Sequence, residues 1–222
     1  MRVVRVVDGD TLRLASGESV RLIGINTPEV GRDGVADEPG ARAAARYLRR
    51  WLEGRRVELI PGLESRDRYG RRLAHLFVDG ESVSEHLLAR GLGFAVAVPP
   101  NIRLSDCFFA AEQRASAREI GLWQRGPVQA AAQVRKSGFA LLEGRVTRVD
   151  QTRRAAYVEI DDHLVLRVSH GLARTGVELE RLAGKRVQIR GWIVDRGSIS
   201  QPGRKRWLIS LSDWRHLRFP SN

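Results

Sequence analysis

The chain has 222 residues and a mass of 24.9 kDa, with 38 Lys+Arg against 26 Asp+Glu, a formal net charge of +12 and a pI near 11.2. That length suits one large domain or two small ones. The 42% hydrophobic content is too high for a disordered basic tail, and the longest apolar runs fall far short of the ~20 residues a transmembrane helix needs, so membrane insertion is not expected. A single cysteine, Cys107, excludes an internal disulfide, and no paired Cys/His spacing suggests structural zinc.

Met1 is followed by the charged alternating stretch Val3-Val4-Arg5-Val6-Val7, which has no apolar signal-peptide core and reads as a strand. Asp8-Gly9-Asp10-Thr11 turns the chain into Leu12-Arg13-Leu14, and Ser16-Gly17-Glu18 turns it again into a third strand, Val20 to Ile25. Pro28 ends that strand, because proline cannot extend a ladder, and residues 30–39 read as a loop. Residues 41–53 change period: Ala44, Tyr47, Leu48, Trp51 and Leu52 fall at helical spacing, with arginines on the other face and Gly54 as the stop. Strands return at 57–60 and 73–78. Helices follow at about 82–90 and 106–120, the second with Ser105 as its expected cap.

Pro127 and the Gln/Ala-rich residues after it break the composition. The expected division is therefore a first domain at 1–126, a linker at 127–138 and a second domain at 139–222. In the second half, strands are expected at 144–149, 156–160, 164–168, 186–194 and 207–211, with a short helical stretch from Val177 to Leu182 after the third. Three strands, a helix and two strands is the order of a small five-stranded OB barrel. The helix–Gly–strand passages around Gly54 and Gly184 echo each other, so both halves read as OB-like. The basic excess is concentrated: residues 1–125 carry 20 Arg and no Lys against 17 acids, residues 126–222 carry 15 Arg and 3 Lys against 9 acids. Such a field draws polyanions, although an arginine-rich proteome would raise the pI in the same way.

Four polar clusters in the first half carry chemistry: Asp8/Asp10, Arg21, Asn26-Thr27-Pro28-Glu29, and Asp67-Arg68-Tyr69-Gly70-Arg71. Carboxylate, amide and carbonyl oxygens are hard ligands for calcium or magnesium. Two arginines can grip a phosphate and stabilise charge growing on it, and a remaining carboxylate can orient or deprotonate water. Each cluster also has a plain structural reading: a hairpin turn for Asp8-Gly9-Asp10, a solvent-facing strand position for Arg21, a surface acid for Glu29, a surface ion pair for Asp67 and Arg71.

Taken in order, Val7-Asp8-Gly9-Asp10-Thr11-Leu12, Val20 to Glu29, and Asp67-Arg68-Tyr69-Gly70-Arg71 resemble the signature of the staphylococcal nuclease family. The resemblance runs on through Gly91-Leu92, Glu112, Ala115 and Gly121-Leu122-Trp123, and covers about residues 3–124. It implies a mainly β fold with helices (α+β), an OB barrel with three helices, joined here to a second small OB-like barrel. It also implies endonucleolytic cleavage of DNA and RNA, with calcium as the cofactor and magnesium or manganese as alternatives. By the same resemblance Asp10, Asn26 and the Thr27 carbonyl match the metal ligands and Arg21 and Arg71 the phosphate-binding arginines. Glu29 matches the residue that handles the attacking water, and Arg68 and Tyr69 match the nucleotide pocket. Asn26 departs from an aspartate in the family pattern, which predicts weaker calcium binding. Residues 94–101 lack the tyrosines that the family offers the nucleotide.

The alternative reading is a non-catalytic nucleic-acid-binding protein on a degenerate nuclease barrel, and a scaffold for protein partners is a third. The retention of Asp10, Arg21, Glu29 and Arg71 favours the enzyme. DNA and/or RNA is the expected partner of a monomer, with no specific protein partner. Export to the periplasm or medium, with a leader removed, is what the resemblance implies for location. In the second half His163, His170 and His216 lack a metal-ligand spacing. Trp192, Trp207 and Trp214 could stack bases, with core packing expected for at least two of them.

Overall fold

The computed structural model describes residues 1–31, 33–176, 178–197 and 204–220, in two compact units that divide at Gly126/Pro127. In the first unit β1 (Val3–Val6), β2 (Thr11–Leu14) and β3 (Ser19–Leu22) form an antiparallel meander. Next come β4 (Ile25–Asn26), α1 (Ala41–Leu52), β5 (Glu58–Arg66) and β6 (Arg72–Val78). β6 pairs parallel with β3 and antiparallel with β5, giving the order β1-β2-β3-β6-β5. The barrel closes where Arg2 bridges Arg56, with Val3 N–H donating to the Arg55 carbonyl at 2.9 Å. This is the mixed α+β OB architecture expected, with the helix after the third strand.

The helical period at 41–53 holds: Ala41, Ala44, Ala45, Leu48 and Leu52 are buried, Tyr47 and Trp51 pack at the margin, and Gly54 turns left-handed at φ 83°. A short β7 (Glu81–Ser82) leads into α2 (Val83–Ala89), where the Ser82 hydroxyl accepts from Glu85 N–H. After β8 (Phe94–Ala95) comes α3 (Ser105–Ala117). Its cap is Leu104 and not Ser105, because the Leu104 carbonyl accepts the bond from Phe108 N–H; Ser105 is already inside the first turn and buried. Leu12, Leu14, Leu22, Leu48, Leu76, Leu87 and Phe108 meet in one core.

The expected third strand, Val20 to Ile25, is two strands. Ile23 and Gly24 interrupt it, and β4 leaves the barrel to pair with β8. Gly24 sits at φ 83°, and a Cβ there would lie 2.1 Å from the buried Phe108 ring, so only glycine allows the break. The carbonyls freed by the break all find donors, as buried backbone must. Ser84 Oγ donates to Ile23 O at 2.9 Å and Val96 N–H to Gly24 O at 3.1 Å, while the Arg21 guanidinium serves Leu22 O and Ile25 O.

In the second unit β9 (Val128–Ala130) pairs parallel with β10 (Gly138–Gln151), so part of the segment expected as a linker, 127–138, is a strand of this unit. β11 (Ala155–Ile160) and β12 (Leu164–Ser169) continue the meander. A single helical turn, α4 (His170–Ala173), was not evident in the sequence; a 3₁₀ turn follows at Leu179–Leu182, within the stretch expected as helical, whose first residue, Val177, lies outside the described residues. β13 (Arg186–Asp195) and β14 (Trp207–Leu211) complete the set, with β15 (Leu217–Arg218) on the rim of β13. β14 joins β12 in parallel and β13 returns to β10, which closes a five-stranded barrel of OB order around Leu142, Val158, Ile160, Leu166 and Ile209.

Candidate active site

Alternation along β2 sends Leu12 and Leu14 into the core, and the turn before it holds Asp8 and Asp10 at the barrel mouth. Both are buried, and the Asp10 N–H donates to Asp8 Oδ1 at 3.1 Å. Burial first, and the neighbouring Asp10 charge second, push the Asp8 carboxyl up to about 6. Asp10 is only 1% exposed and is held on every side: Oδ1 accepts from Thr11 Oγ1 at 3.1 Å, and Oδ2 accepts from Thr27 N–H at 2.8 Å and Thr27 Oγ1 at 3.0 Å.

Arg21 comes from β3, opposite Thr11 in register. The sequence allowed it a solvent-facing position, but its side chain is 13% exposed and lies 3.0 Å from Asp10 Oδ2. The same guanidinium donates to Asn26 Oδ1 at 3.1 Å as well as to the two carbonyls at the strand break. The break therefore does two things at once: it carries Asn26 and Thr27 under Asp10, and it fixes the plane of Arg21.

Glu29 stands at the solvent-open rim just after Pro28, its backbone N–H bound to Glu38 Oε2 at 2.9 Å and its carbonyl accepting from Glu38 N–H at 3.0 Å. One side of its carboxyl faces protein, and this partial desolvation, followed by the Asp10 charge, raises its pKa against the opposing pull of Arg21 and Arg71. Those four charges thus share one electrostatic neighbourhood.

Arg71 stands just before β6, the strand beside β3, on the tight turn between β5 and β6. Asp67 organises that turn, with Oδ1 accepting from the N–H groups of Tyr69 and Arg71, each at 2.9 Å, and Oδ2 accepting from Arg71 Nε at 2.7 Å. Burial pushes Asp67 up, but the Arg71 bonds outweigh it and leave the carboxyl below its usual range. Arg71 Nη1 reaches Thr11 Oγ1 at 3.4 Å, which links this turn to the Asp10 cluster. Arg68 and Tyr69 stay exposed on the turn; the Arg68 guanidinium lies 4.8 Å and the Arg71 guanidinium 5.4 Å from the Tyr69 ring centre.

Asp10, Arg21, Asn26, Thr27, Glu29 and Arg71 are therefore brought to one mouth, while Arg68 and Tyr69 flank it. Asp8, Thr11, Glu38 and Asp67 belong to the same constellation. Asp8 and Asp67 were legible as members of their motifs, whereas Glu38 carries no sequence signal because only the loop's return places it on Glu29. Among the described residues no cluster of three His, Cys, Asp or Glu side chains forms a ready metal cage. The side-chain oxygens gathered here, Asp8, Asp10 and Asn26, are hard and partly anionic, and burial first and the Asp10 charge second raise Asp8. That donor chemistry fits a hard divalent cation and no soft one.

A five-stranded OB barrel with paired carboxylates and two guanidinium groups at its mouth has the charges to receive a phosphate ester. Comparison with known proteins narrows it. Residues 19–125 match the family model described as staphylococcal nuclease homologue. The thermonuclease of Staphylococcus intermedius is 33% identical over 126 residues, 55% of this chain and 75% of that protein. The thermonuclease of Staphylococcus hyicus is 30% identical over 125 residues, 55% and 74% of the two chains. Endonuclease YncB of Bacillus subtilis is 31% identical over 126 residues, 54% of this chain and 60% of that one. The chain belongs to the staphylococcal nuclease family.

Proposed function

We propose that the first unit is a divalent-cation-dependent endonuclease that hydrolyses phosphodiester bonds of DNA and/or RNA with little sequence preference. The observation that carries this reading is the mouth itself: Arg21 lies 3.0 Å from Asp10 Oδ2, Arg71 is held by Asp67 and reaches Thr11 Oγ1, and Glu29 stands on the rim in the field of both arginines, which oppose the rise that burial gives its pKa. A base must keep enough proton affinity to take a proton from water, and a raised carboxyl does so better than an ordinary one.

In this reading Arg21 and Arg71 receive the phosphate. Their fixed planes, set by the strand break and by Asp67, mean that little reorganisation is needed as charge builds on the phosphoryl oxygens. Glu29 orients the attacking water and takes its proton on the carboxylate. Asp10, Asn26 and the Thr27 carbonyl, with Asp8 beside them, would hold the cation, with calcium as the first candidate and magnesium or manganese after it. A bound cation supplies Lewis-acid polarisation of the phosphate. Arg68 and Tyr69 flank the mouth where a nucleotide would lie.

The test is cleavage of single- and double-stranded DNA by the full chain with calcium, magnesium or EDTA, beside Glu29→Gln. Cutting is expected with calcium and not with EDTA. Glu29→Gln is expected to lower kcat by about 10²–10⁴-fold, the usual worth of a positioned base, with binding in EDTA unchanged. Salt-sensitive binding without cutting by either protein would convert the reading to a binding module.

A further inference from the structure

The three tryptophans of the second unit separate clearly by environment. Trp207 is core, at 2% exposure, and Trp214 spends its Nε1–H on the Leu172 carbonyl at 2.9 Å. Trp192 is different: it stands on the outer wall of the barrel at 43% exposure. Its neighbours follow from register. Phe139 of β10 lies opposite Trp192, and the two rings meet edge to face at 5.1 Å. On the other side, Ile193 opposite Ile209 carries one step on to Ser210 beside Trp192. Ser210 aligns with Arg167 of β12, and Arg167 with Tyr157 of β11.

Tyr157, Arg167, Ser210, Trp192 and Phe139 therefore form one row across five adjacent strands, all on the face opposite Val158, Leu166 and Ile209 of the core. At about 4.8 Å per strand the row covers roughly 19 Å of wall. Its five members are three rings, one cation and a serine; beyond Tyr157 the register continues to Asp150 of β10, which Arg148 pairs at 2.9 Å. The Arg167 side chain makes no ion pair or hydrogen bond among the described residues. The acid in the next row, Glu159, is matched by Lys205 at 3.5 Å. Arg153 and Arg154, exposed in the turn that leads into β11, stand beside the Tyr157 end. The wall belongs to the half of the chain with 15 Arg and 3 Lys against 9 acids.

We propose that this row is a binding platform for single-stranded nucleic acid, with Trp192, Phe139 and Tyr157 offering faces or edges to unstacked bases and Arg167, Arg153 and Arg154 meeting the phosphates. An aromatic row with Trp192 exposed and Phe139 and Tyr157 half-buried, inside a strongly positive field, is complementary to a chain that alternates flat rings with anions. Duplex DNA hides its base faces and would leave the rings unused. An OB-sized site commonly covers four or more nucleotides, which suits a wall of this width. The platform is independent of the chemistry at the first unit.

The experiment is fluorescence anisotropy of a labelled 12-residue oligothymidylate in EDTA, titrated with full-length chains. All carry Arg71→Ala, so that the first unit's mouth competes less. Trp192→Ala is expected to weaken binding between about 5-fold and 150-fold, the range that one base–aromatic stack supports. Trp192→Phe is expected to stay within about threefold of the parent, since a ring remains for stacking. Arg167→Ala is expected to reduce the slope of log affinity against log salt by about 0.7. Unchanged binding by Trp192→Ala, an equal loss in Trp192→Phe, or the same losses with a 12-base-pair duplex would each overturn the proposal, and the first would leave the face for a protein partner. The calorimetric transition of the second barrel in Trp192→Ala reports on its fold, and cleavage of a short oligonucleotide by the same variant with Arg71 intact reports on the nuclease. Absence of cleavage in every chain, with the binding differences intact, would sink the nuclease reading and leave the platform standing.

Discussion

Asn26 is one of the places where the resemblance implies a departure from the family pattern, and its environment shows what an amide does there. Its Oδ1 accepts from Arg21 at 3.1 Å, so the amide keeps an oxygen in the cluster while removing a negative charge next to Asp10 and Asp8. Divalent-ion affinity follows ligand charge. Asn26→Asp is therefore expected to tighten calcium binding by about tenfold or more in titration calorimetry, and an unchanged affinity would show that Asn26 faces Arg21 only. His216 gives a second residue-scale prediction. It is 2% exposed, with Nδ1 3.1 Å from Ser212 Oγ, and burial followed by the Arg190 charge lowers its pKa to about 4. The unfolded chain then binds a proton that the folded one refuses between about 6.5 and about 4, so stability is complete above that window and falls as pH drops through it. The expected loss from pH 7 to pH 4 is on the order of 3 kcal/mol from this group. His216→Gln should flatten that slope in denaturant titrations, even if its midpoint at pH 7 falls.

The element that makes the mouth is the interrupted strand. Had residues 20–25 continued as one ladder, Asn26 and Thr27 would extend the barrel wall, and the Leu22 and Ile25 carbonyls would not be available to hold Arg21. Gly24 permits the break, with φ at 83° and the Phe108 ring 2.1 Å from where a Cβ would stand. Gly24→Ala is expected to cost about 2–4 kcal/mol, combining a left-handed non-glycine residue with a forced shift of a buried ring. Cleavage should fall with it, measured at a temperature where the variant is still folded, because Asn26 and Thr27 move together. The turn between β5 and β6 is the second such element. Asp67→Asn keeps the acceptor for the Tyr69 and Arg71 N–H groups but weakens the charge-assisted bond to Arg71 Nε, so the expected result is a raised KM with a smaller change in Tm.

At the scale of the whole molecule the chain has two cores, one around Leu48, Leu76 and Phe108 and one around Leu142, Ile160 and Leu166, each enclosed by its own barrel. Two cores of this kind predict two calorimetric transitions, and His216→Gln should move only one of them. The division of charge predicts a division of labour as well. Residues 1–126 alone are expected to cut a short oligonucleotide as the full chain does. Long DNA at moderate salt should be a poorer substrate for them, with KM raised about tenfold, because most of the +12 resides in the other half. Equal cleavage of long DNA by both would assign the second barrel a different role.

The sequence by itself determined the parts whose cause is local. Helical period set α1 and turn residues set the meander, because those signals lie within a few residues of one another, and the order of three short motifs around Asp10, Arg21 to Glu29, and Arg71 set the family resemblance. The tertiary structure decided what depends on contacts between distant segments. Phe108 of α3 must pack on Gly24 for the third strand to break, and Ser84 and Val96 must be present to take up its carbonyls. Glu38 reaches Glu29 only because a loop returns, and Val128–Ala130 becomes a strand only because β10 offers it an edge. Trp192 and Trp207 read alike in the chain, both on alternating strands. Which one faced solvent depended on the register of β13 against β14, since a shift of one residue exchanges core and surface along the whole strand.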